Sequence, residues 1–498
     1  MKRVSLVLML FLAFTSFMYL NAQWARTYRT WSWEIASSVQ QTSDGGYIVA
    51  GHTGYTKVGD TDYDFWVLKL TPTGTIEWEY SYGGEGDVEV AKSIQQTNDG
   101  GYIVAGHTES FGAGGFDAWV LKLDSTGIVE WQKTYGGVAG DYARSIQQTI
   151  DGGYIVAGDT RSFSPGLGGA DAWILKLTSA GDIVWQRRYE RGFVESASSI
   201  HQTSDGGYIV AGKSFTRYAG EYDFWILKLT SIGDIEWQHI YGGIDDDNAH
   251  SIRQTSDGGY IVAGFTASFG AGGRDFWVLK LTVSGEIEWQ RAYGGSDADN
   301  AHSIRQTVDG GYIVGGHAEG WNVSMLKLTP AGDIEWKRIY DWDCNEEAFS
   351  IQQTNEGGYV VAGTTSPSCE NAHFWVLKLL PDGTIDPTCG FIRSSEAIIT
   401  DTFVSPKSTS VSPQDTNIVP LDTGVISQDT NAYVVLVCDG PKYDFTIYVT
   451  AGGTTNPSPG THTYYIGTVF RIEALADIGY RFSYWTGMFL QNMRMTIQ

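Results

Sequence analysis

AKSIQQTNDGGYIVAGHTESFGAGGFDAWVLKLDSTGIVEWQKTY, residues 91–135, decides the fold, because the same pattern runs through most of the chain. It holds four short runs rich in β-branched and aromatic residues: 91–97 (AKSIQQT), 101–108 (GYIVAGHT), 117–123 (DAWVLKL) and 128–135 (IVEWQKTY). Gly, Asp, Asn or Ser bounds each run, so they read as strands A, B, C and D of one antiparallel sheet. Asn98-Asp99-Gly100 joins A to B, and Asp124-Ser125-Thr126-Gly127 joins C to D. Both are tight-turn chemistry, with Gly available where φ must be positive.

An acidic residue followed by Gly-Gly-Tyr recurs at Asp44, Asp99, Asp151, Asp205, Asp257, Asp309 and Glu356, at spacings of 55, 52, 54, 52, 52 and 47 residues. A single four-stranded sheet cannot bury both faces, whereas seven stacked radially can. A linear solenoid is the alternative, and the two ends of the repeat array argue against it. The D-strand Trp occurs at Trp24, Trp78, Trp131, Trp185, Trp237, Trp289 and Trp336. Trp24 stands in QWARTY (23–28), ahead of any A, B or C strand, while the seventh repeat ends in GTIDP (383–387) with no Trp. One end supplies the strand that the other lacks. Residues 24–28 are therefore expected to pair with 374–379 as the outer strand of the seventh blade, closing a ring and removing exposed edges. The expected fold class is all-β: a seven-bladed β-propeller of four-stranded blades closed by an N-terminal strand, followed by an extended linker and a small β module.

The domain reading follows. Lys2 and Arg3 precede a weakly polar to apolar run over 5–20, and Ala22 offers a small residue for cleavage before Gln23, so residues 1–22 read as a signal peptide. The propeller takes 23–390. Residues 391–440 form a Ser/Thr/Pro-rich linker containing four seven-residue units, FVSPKST, SVSPQDT, NIVPLDT and GVISQDT, over 403–430. An extended spacer reaching about 85 Å is expected there, with pairing of the units into an edge sheet as the alternative. A small module takes 441–498.

Two resemblances add to this. The Trp that follows Gly-x-Ile-x resembles the docking Trp of quinoprotein-type propellers, and the repeat over about 23–390 resembles the delta-60 type of secreted propeller repeat. The resemblance implies that these Trp residues join blade to blade. It brings no active site and no quinone, because the blade count differs and an adjacent Cys pair is absent. From Tyr443 onward the chain resembles the divergent internalin-type B-repeat of bacterial surface proteins. The carrying residues are Pro457-Ser458-Pro459-Gly460-Thr461, Tyr465-x-Gly467-Thr468 and Gly479-Tyr480-Arg481-Phe482-x-x-Trp485-x-Gly487. That implies a β module of adhesive or envelope proteins, with its last strand incomplete at Gln498.

Composition agrees with an exported β protein. Among 498 residues there are 62 Gly, 18 Trp and 28 Tyr, and the formal net charge is −24. Such a charge argues against nucleic acid as a partner, and no segment after the leader is apolar enough to span a bilayer as a helix. A monomer located outside the cell is expected. Export permits disulfides among Cys344, Cys369, Cys389 and Cys438, none of which has metal-site spacing. Cys344 and Cys369 fall in two loops on one face of the seventh repeat, so the expected pairs are Cys344–Cys369 and Cys389–Cys438.

The strand order places the D-to-A and B-to-C loops on one face and the tight turns on the other. The long loops all lie on the first face, where ligand sites concentrate. Asp/Glu-x-Ala-x-Ser recurs there at Glu34, Glu89, Asp141, Glu195, Asp247, Asp299 and Glu346. Read as ligand-binding residues, these seven rim the channel mouth and attract a cation. Read structurally, each carboxylate accepts backbone N–H bonds from a neighbouring loop, which suits a feature present in every blade. On the ligand reading, Asp247, Asp299 and Glu346, in consecutive blades, are expected to hold a calcium ion. His250 and His302 share a register in adjacent blades, which repeat inheritance explains without a metal. Repeat six departs from the pattern: NVSM (322–325) replaces the usual Asp-Phe-Trp-Val and its B-to-C loop is shorter, leaving a notch beside repeat seven. No nucleophile, zinc, phosphate or dinucleotide motif is present. The functional expectation is a secreted or cell-surface binding or adhesion protein with a glycan or protein ligand. The alternative is a secreted polysaccharide hydrolase or lyase using acidic residues at the channel mouth.

Overall fold

The computed structural model describes residues 23–385 apart from short loop segments, and beyond them residues 391–395 and the strands named below. The expected signal peptide, 1–22, lies outside the described residues. Seven antiparallel sheets follow one another around a central channel. Blade two is representative: Glu89–Gln96 lies innermost, followed by Tyr102–Thr108, Asp117–Leu123 and Val129–Tyr135. No described helix is long and apolar enough to cross a membrane.

The ring closes as expected. Trp24–Arg29 pairs antiparallel with His373–Leu379, matching Trp24 to Lys378 and Tyr28 to Phe374. The D-strand Trp then docks on the next blade. Its ring meets the B-strand Tyr there, as in Trp24–Tyr47 at 5.9 Å and Trp336–Tyr359 at 5.9 Å. Its indole N–H donates to a carbonyl of that blade's C–D turn, as from Trp24 to Pro72 at 3.2 Å. Gly74, at φ +76, lies so close beneath Trp24 that a Cβ would sit 2.8 Å from the ring, so only Gly fits this turn. Four residues on, Tyr28 donates its hydroxyl to the Gly74 carbonyl at 2.6 Å, as Tyr82 does to Gly127. Buried apolar clusters fill each junction. At the closure, Trp24, Tyr28, Phe374 and Val376 pack against Ala36, Tyr47, Val49 and Trp66.

Residues 24–29 are not outermost, however, and the segment expected as a spacer supplies the reason. Tyr433–Asp439 pairs along the free edge of Trp24–Arg29. The strands before it do the same for the other six blades in reverse order. Ile392–Ser394 joins blade six, Ile398–Asp401 blade five, Lys407–Ser408 blade four, Gln414–Asp415 blade three, Leu421–Asp422 blade two and Gln428–Asp429 blade one. The alternative of edge pairing is thus the one adopted, as a belt circling the propeller once. Four of the pairs fall at the fifth and sixth residues of the seven-residue units, so the unit length matches the step between blades. At roughly 3.3 Å per residue, seven extended residues span about 23 Å. Each blade becomes five-stranded, and the D-strand edge is covered. Beyond the belt, Lys442–Ile447 pairs with Gly460–Tyr465, and Gly453–Asn456 with Glu473–Ala476.

In blades one, two, four, five and six a buried Lys on strand C ties the A–B turn to strand D. Lys122 Nζ lies 3.0 Å from both Asp99 and Glu130, and Lys228 lies 2.9 Å from Asp205 and 3.2 Å from Glu236. Partial burial pushes the turn carboxyls up, yet bonds from Thr, Lys and Gly hold Asp99, Asp205, Asp257 and Asp309 at about 2, below the ordinary 3.8. A carboxyl lowered in the folded state contributes stability above its unfolded value and loses it as pH falls through the folded one. These carboxylates are half-exposed, so each contributes at most about 1 kcal/mol. Denaturant titrations should therefore show a loss on the order of 2–4 kcal/mol between pH 4 and pH 2. A replacement of all four Asp by Asn that leaves this acid limb unchanged would contradict the assignment.

Candidate functional site

The first residue of the inner strand fixes the loop face from below. Glu34, Glu89, Asp141, Glu195, Asp247, Asp299 and Glu346 are all 0–1% exposed. Their carboxylates take bonds from the loops above them. Glu89 accepts from the Gly84 amide at 3.2 Å, the Thr108 hydroxyl at 2.8 Å and the Ser110 amide at 3.1 Å. Asp247 accepts from Gly243 N–H and Ser268 O–H, Asp299 from Gly295 and Glu319 N–H, and Glu346 from Thr365 O–H. The recurrent carboxylates therefore lie beneath the mouth of the channel and lock the loops. Calcium shared by Asp247, Asp299 and Glu346 would have to displace these bonds.

A second carboxyl lies near some of them. Burial, reinforced by the neighbouring acids Asp62 and Glu89, lifts Asp64 to about 7. Burial and Asp141 lift Asp117 to about 6, and burial and Asp299 do the same to Asp275. A hydrolase would draw its acid and base from such a pair. These pairs recur around the ring, and Asp117, Asp141, Asp275 and Asp299 are buried, which suits loop anchoring better than substrate contact.

The loop face is uneven at one place, the notch of blade six. The non-glycine residues with positive φ among those described are Glu319 (51°), Trp321 (74°) and Asn345 (50°), and all three lie there. Such backbone conformations are costly for side-chain-bearing residues and concentrate at functional sites. The short B-to-C loop is pinned from several sides. Asn322, the Asn of the only sequon, donates its amide to the Glu319 carbonyl at 2.9 Å, and the Glu346 N–H donates to the Trp321 carbonyl at 2.6 Å. Glu319 takes Lys337 at 3.0 Å, Arg393 of the belt at 2.8 Å and the Ser395 hydroxyl. These contacts outweigh partial burial and hold its carboxyl at about 2.

Trp321 is held out from this loop, 52% exposed, and its inner face stacks on His317 at 4.5 Å and 20°. Beneath it, Glu347 Oε1 lies 2.8 Å from His302 Nε2 and 3.1 Å from His317 Nδ1. His250 stacks on the other side of His302 at 5.0 Å and 9°. The shared register of His250 and His302 is thus a stack. The group that converges is His302 with His317 and Glu347, which neighbouring strands bring together. His317 replaces a residue that varies between blades, and Glu347 follows the recurrent acid; neither has a local motif to mark it.

At the opposite end of the channel a second ring divides into a glutamine arc and a basic arc. Gln40, Gln95, Gln147 and Gln352 occupy one register, and each side-chain carbonyl accepts the backbone N–H of the adjoining blade, at 2.6–2.8 Å. His201, Arg253 and Arg305 hold the other three places. They line a cavity of about 190 Å³ together with the glutamines. Arg253 donates to the Ile252 carbonyl at 2.7 Å and to Ser199 at 3.3 Å, and Arg305 to the Ile304 carbonyl at 2.9 Å. Neither forms an ion pair among the described residues. Burial pulls the Arg305 guanidinium down to about 10, and burial with the Arg305 charge pulls Arg253 well below its usual range. Arg253→Gln with Arg305→Gln should therefore stabilise the chain by about 1 kcal/mol, by relieving the repulsion of two half-buried like charges and restoring the acceptor. Denaturant unfolding in a low-anion buffer checks it; a less stable double variant would contradict it.

Cys344 is disulfide-bonded, and the backbone N–H of Ser366 donates to its carbonyl at 3.1 Å. The side chains of Cys369, Cys389 and Cys438 lie outside the described residues.

No protein-family model matches this chain, and no curated protein sequence does. Several solved structures resemble it. Sqt1 from Chaetomium thermophilum aligns at 10% identity and a TM-score of 0.39, covering 68% of this chain and 81% of that one. A protein of unknown function from Dyadobacter fermentans aligns at 12% and 0.41, covering 72% and 98%. A GH43_12 protein retrieved from a capybara gut metagenome aligns at 11% and 0.27, covering 83% and 99%. These likenesses carry no argument about function.

Proposed function

We propose that this chain is a secreted or cell-surface binding protein whose ligand docks on the loop face at the notch of blade six. The observation that carries it is Trp321, half exposed on a loop whose backbone adopts two costly non-glycine conformations, with its inner face stacked on His317. A rigid exposed indole beside polar side chains suits the apolar face and hydroxyls of a sugar ring, so a glycan is the favoured ligand. A protein ligand is the other possible result. Binding is preferred to polysaccharide cleavage because the paired carboxyls recur around the ring and are buried. Export is read from residues 1–22. The Cys344–Cys369 and Cys389–Cys438 pairings belong to the same reading, the first supported by the Ser366–Cys344 bond; non-reducing peptide mapping would reject them by linking Cys369 to Cys438.

Glycan and protein arrays probed with the purified chain test the proposal. Trp321→Ala should weaken binding at least about 30-fold, since loss of a central aromatic contact costs 2 kcal/mol or more. Val308→Glu, on the opposite face and 90% exposed, should leave binding unchanged. A ligand lost with Val308→Glu but retained by Trp321→Ala would place the site on the wrong face.

A further inference from the structure

We infer that His302, His317 and Glu347 form a binding site for one borderline divalent cation of the zinc class. This site is independent of the glycan reading. Their donor atoms lie within 4.8 Å of one another, and they are the only such group among the described residues. Both ring nitrogens approach the same carboxylate oxygen, at 2.8 and 3.1 Å, yet neither has a partner in hydrogen-bonding direction, and both atoms are buried. Two nitrogens converging off-line on one oxygen is the arrangement of ligands around a shared centre. A tetrahedral zinc ion with bonds of about 2.0–2.1 Å separates its donors by about 3.3 Å, so each nitrogen needs to move off the shared carboxylate oxygen by only a few tenths of an ångström.

The surroundings suit a ligating Nδ1 on His317. Asn300 Nδ2 lies 2.8 Å from His317 Nε2, while Asn300 Oδ1 is buried without a partner. The two ends of an amide are assigned from their contacts. Turning this one over lets Oδ1 accept the Nε2–H proton, which leaves the Nδ1 lone pair directed at the group. Such an outer acceptor is what a metal-bound imidazole ordinarily has. Two nitrogen donors favour zinc, nickel or copper over calcium.

The untagged full chain, stripped with chelator and dialysed, would be titrated with Zn²⁺ by calorimetry, and bound metal counted by elemental analysis. One ion per chain is expected, undisturbed by excess Ca²⁺, with a rise in melting temperature. Glu347→Gln and His302→Gln should abolish binding, and Asn300→Ala should weaken it about 10–100-fold. His250→Asn, which alters the stacking neighbour and its contact with the Ala301 carbonyl but no proposed ligand, should bind as the parent does. Melting of each stripped variant shows whether it is folded, and His302, at the partly exposed side of the group, is the variant to rely on if Glu347→Gln melts early. No stoichiometric zinc, or equal loss in His250→Asn and His302→Gln, would overturn the site.

Discussion

Deleting residues 24–29 should leave a chain that cannot form a stable ring. The strand lies between two partners, His373–Leu379 and Tyr433–Asp439, so its loss orphans an edge on each side. It also takes away Trp24, which is fully buried, whereas the six corresponding Trp side chains are partly exposed. Tyr28 goes with it, also fully buried and bonded to Gly74. Trp24→Ala alone should cost about 3–5 kcal/mol, the range for a large buried aromatic. Trp131→Ala, at a half-exposed equivalent, should cost less. Complete deletion then approaches the whole stability of an ordinary domain, about 5–15 kcal/mol. Soluble yield and denaturant midpoints read the series. Equal midpoints for Trp24→Ala and Trp131→Ala would argue that the N-terminal strand is no special closure.

Ending the chain after residue 390 should have the second-largest effect. The two-residue belt pairs contribute little individually, but Tyr433–Asp439 pairs with six consecutive residues of the closing strand. At about 0.5–1.5 kcal/mol net per hydrogen bond, that strand contributes on the order of 3–6 kcal/mol. Its loss bares the strand that holds the ring shut and uncovers six further edges. The shortened chain should melt earlier and self-associate more than the full chain at equal concentration, as light scattering would show. Unchanged melting and scattering would mean that the belt adds nothing to the ring.

Much of this fold is legible in the sequence because a propeller repeats its reasons. The Gly-Gly-Tyr turn, the Lys on strand C and the Trp on strand D each act once per blade, and seven copies make the pattern unmistakable. The displaced Trp24 gives away the closure for the same reason. The belt is harder to read. Four of its seven strands pair through backbone over only two residues each, so no alternation of apolar residues marks them; the signal available is that units of seven residues step between blades. The recurrent acids are visible too, but sequence alone leaves open whether they face ligand or loop; in the structure they are buried and bonded to the loops. The notch shows in the sequence only as a shortened sixth loop. The positive φ of Trp321 and the approach of His317 to His302 and Glu347 come from strand neighbours, which no local spacing reports.

The functional claim rests on where a ligand lands. With a ligand identified from the arrays, hydrogen–deuterium exchange of the full chain, free and bound, tests it most directly. Slowed exchange is expected only in the blade-six loop around residues 317–323 and at the adjoining start of blade seven at 345–349, with the Gly-Gly turns of the opposite face unchanged. Protection of those turns, or protection spread evenly over all seven blades, would contradict it.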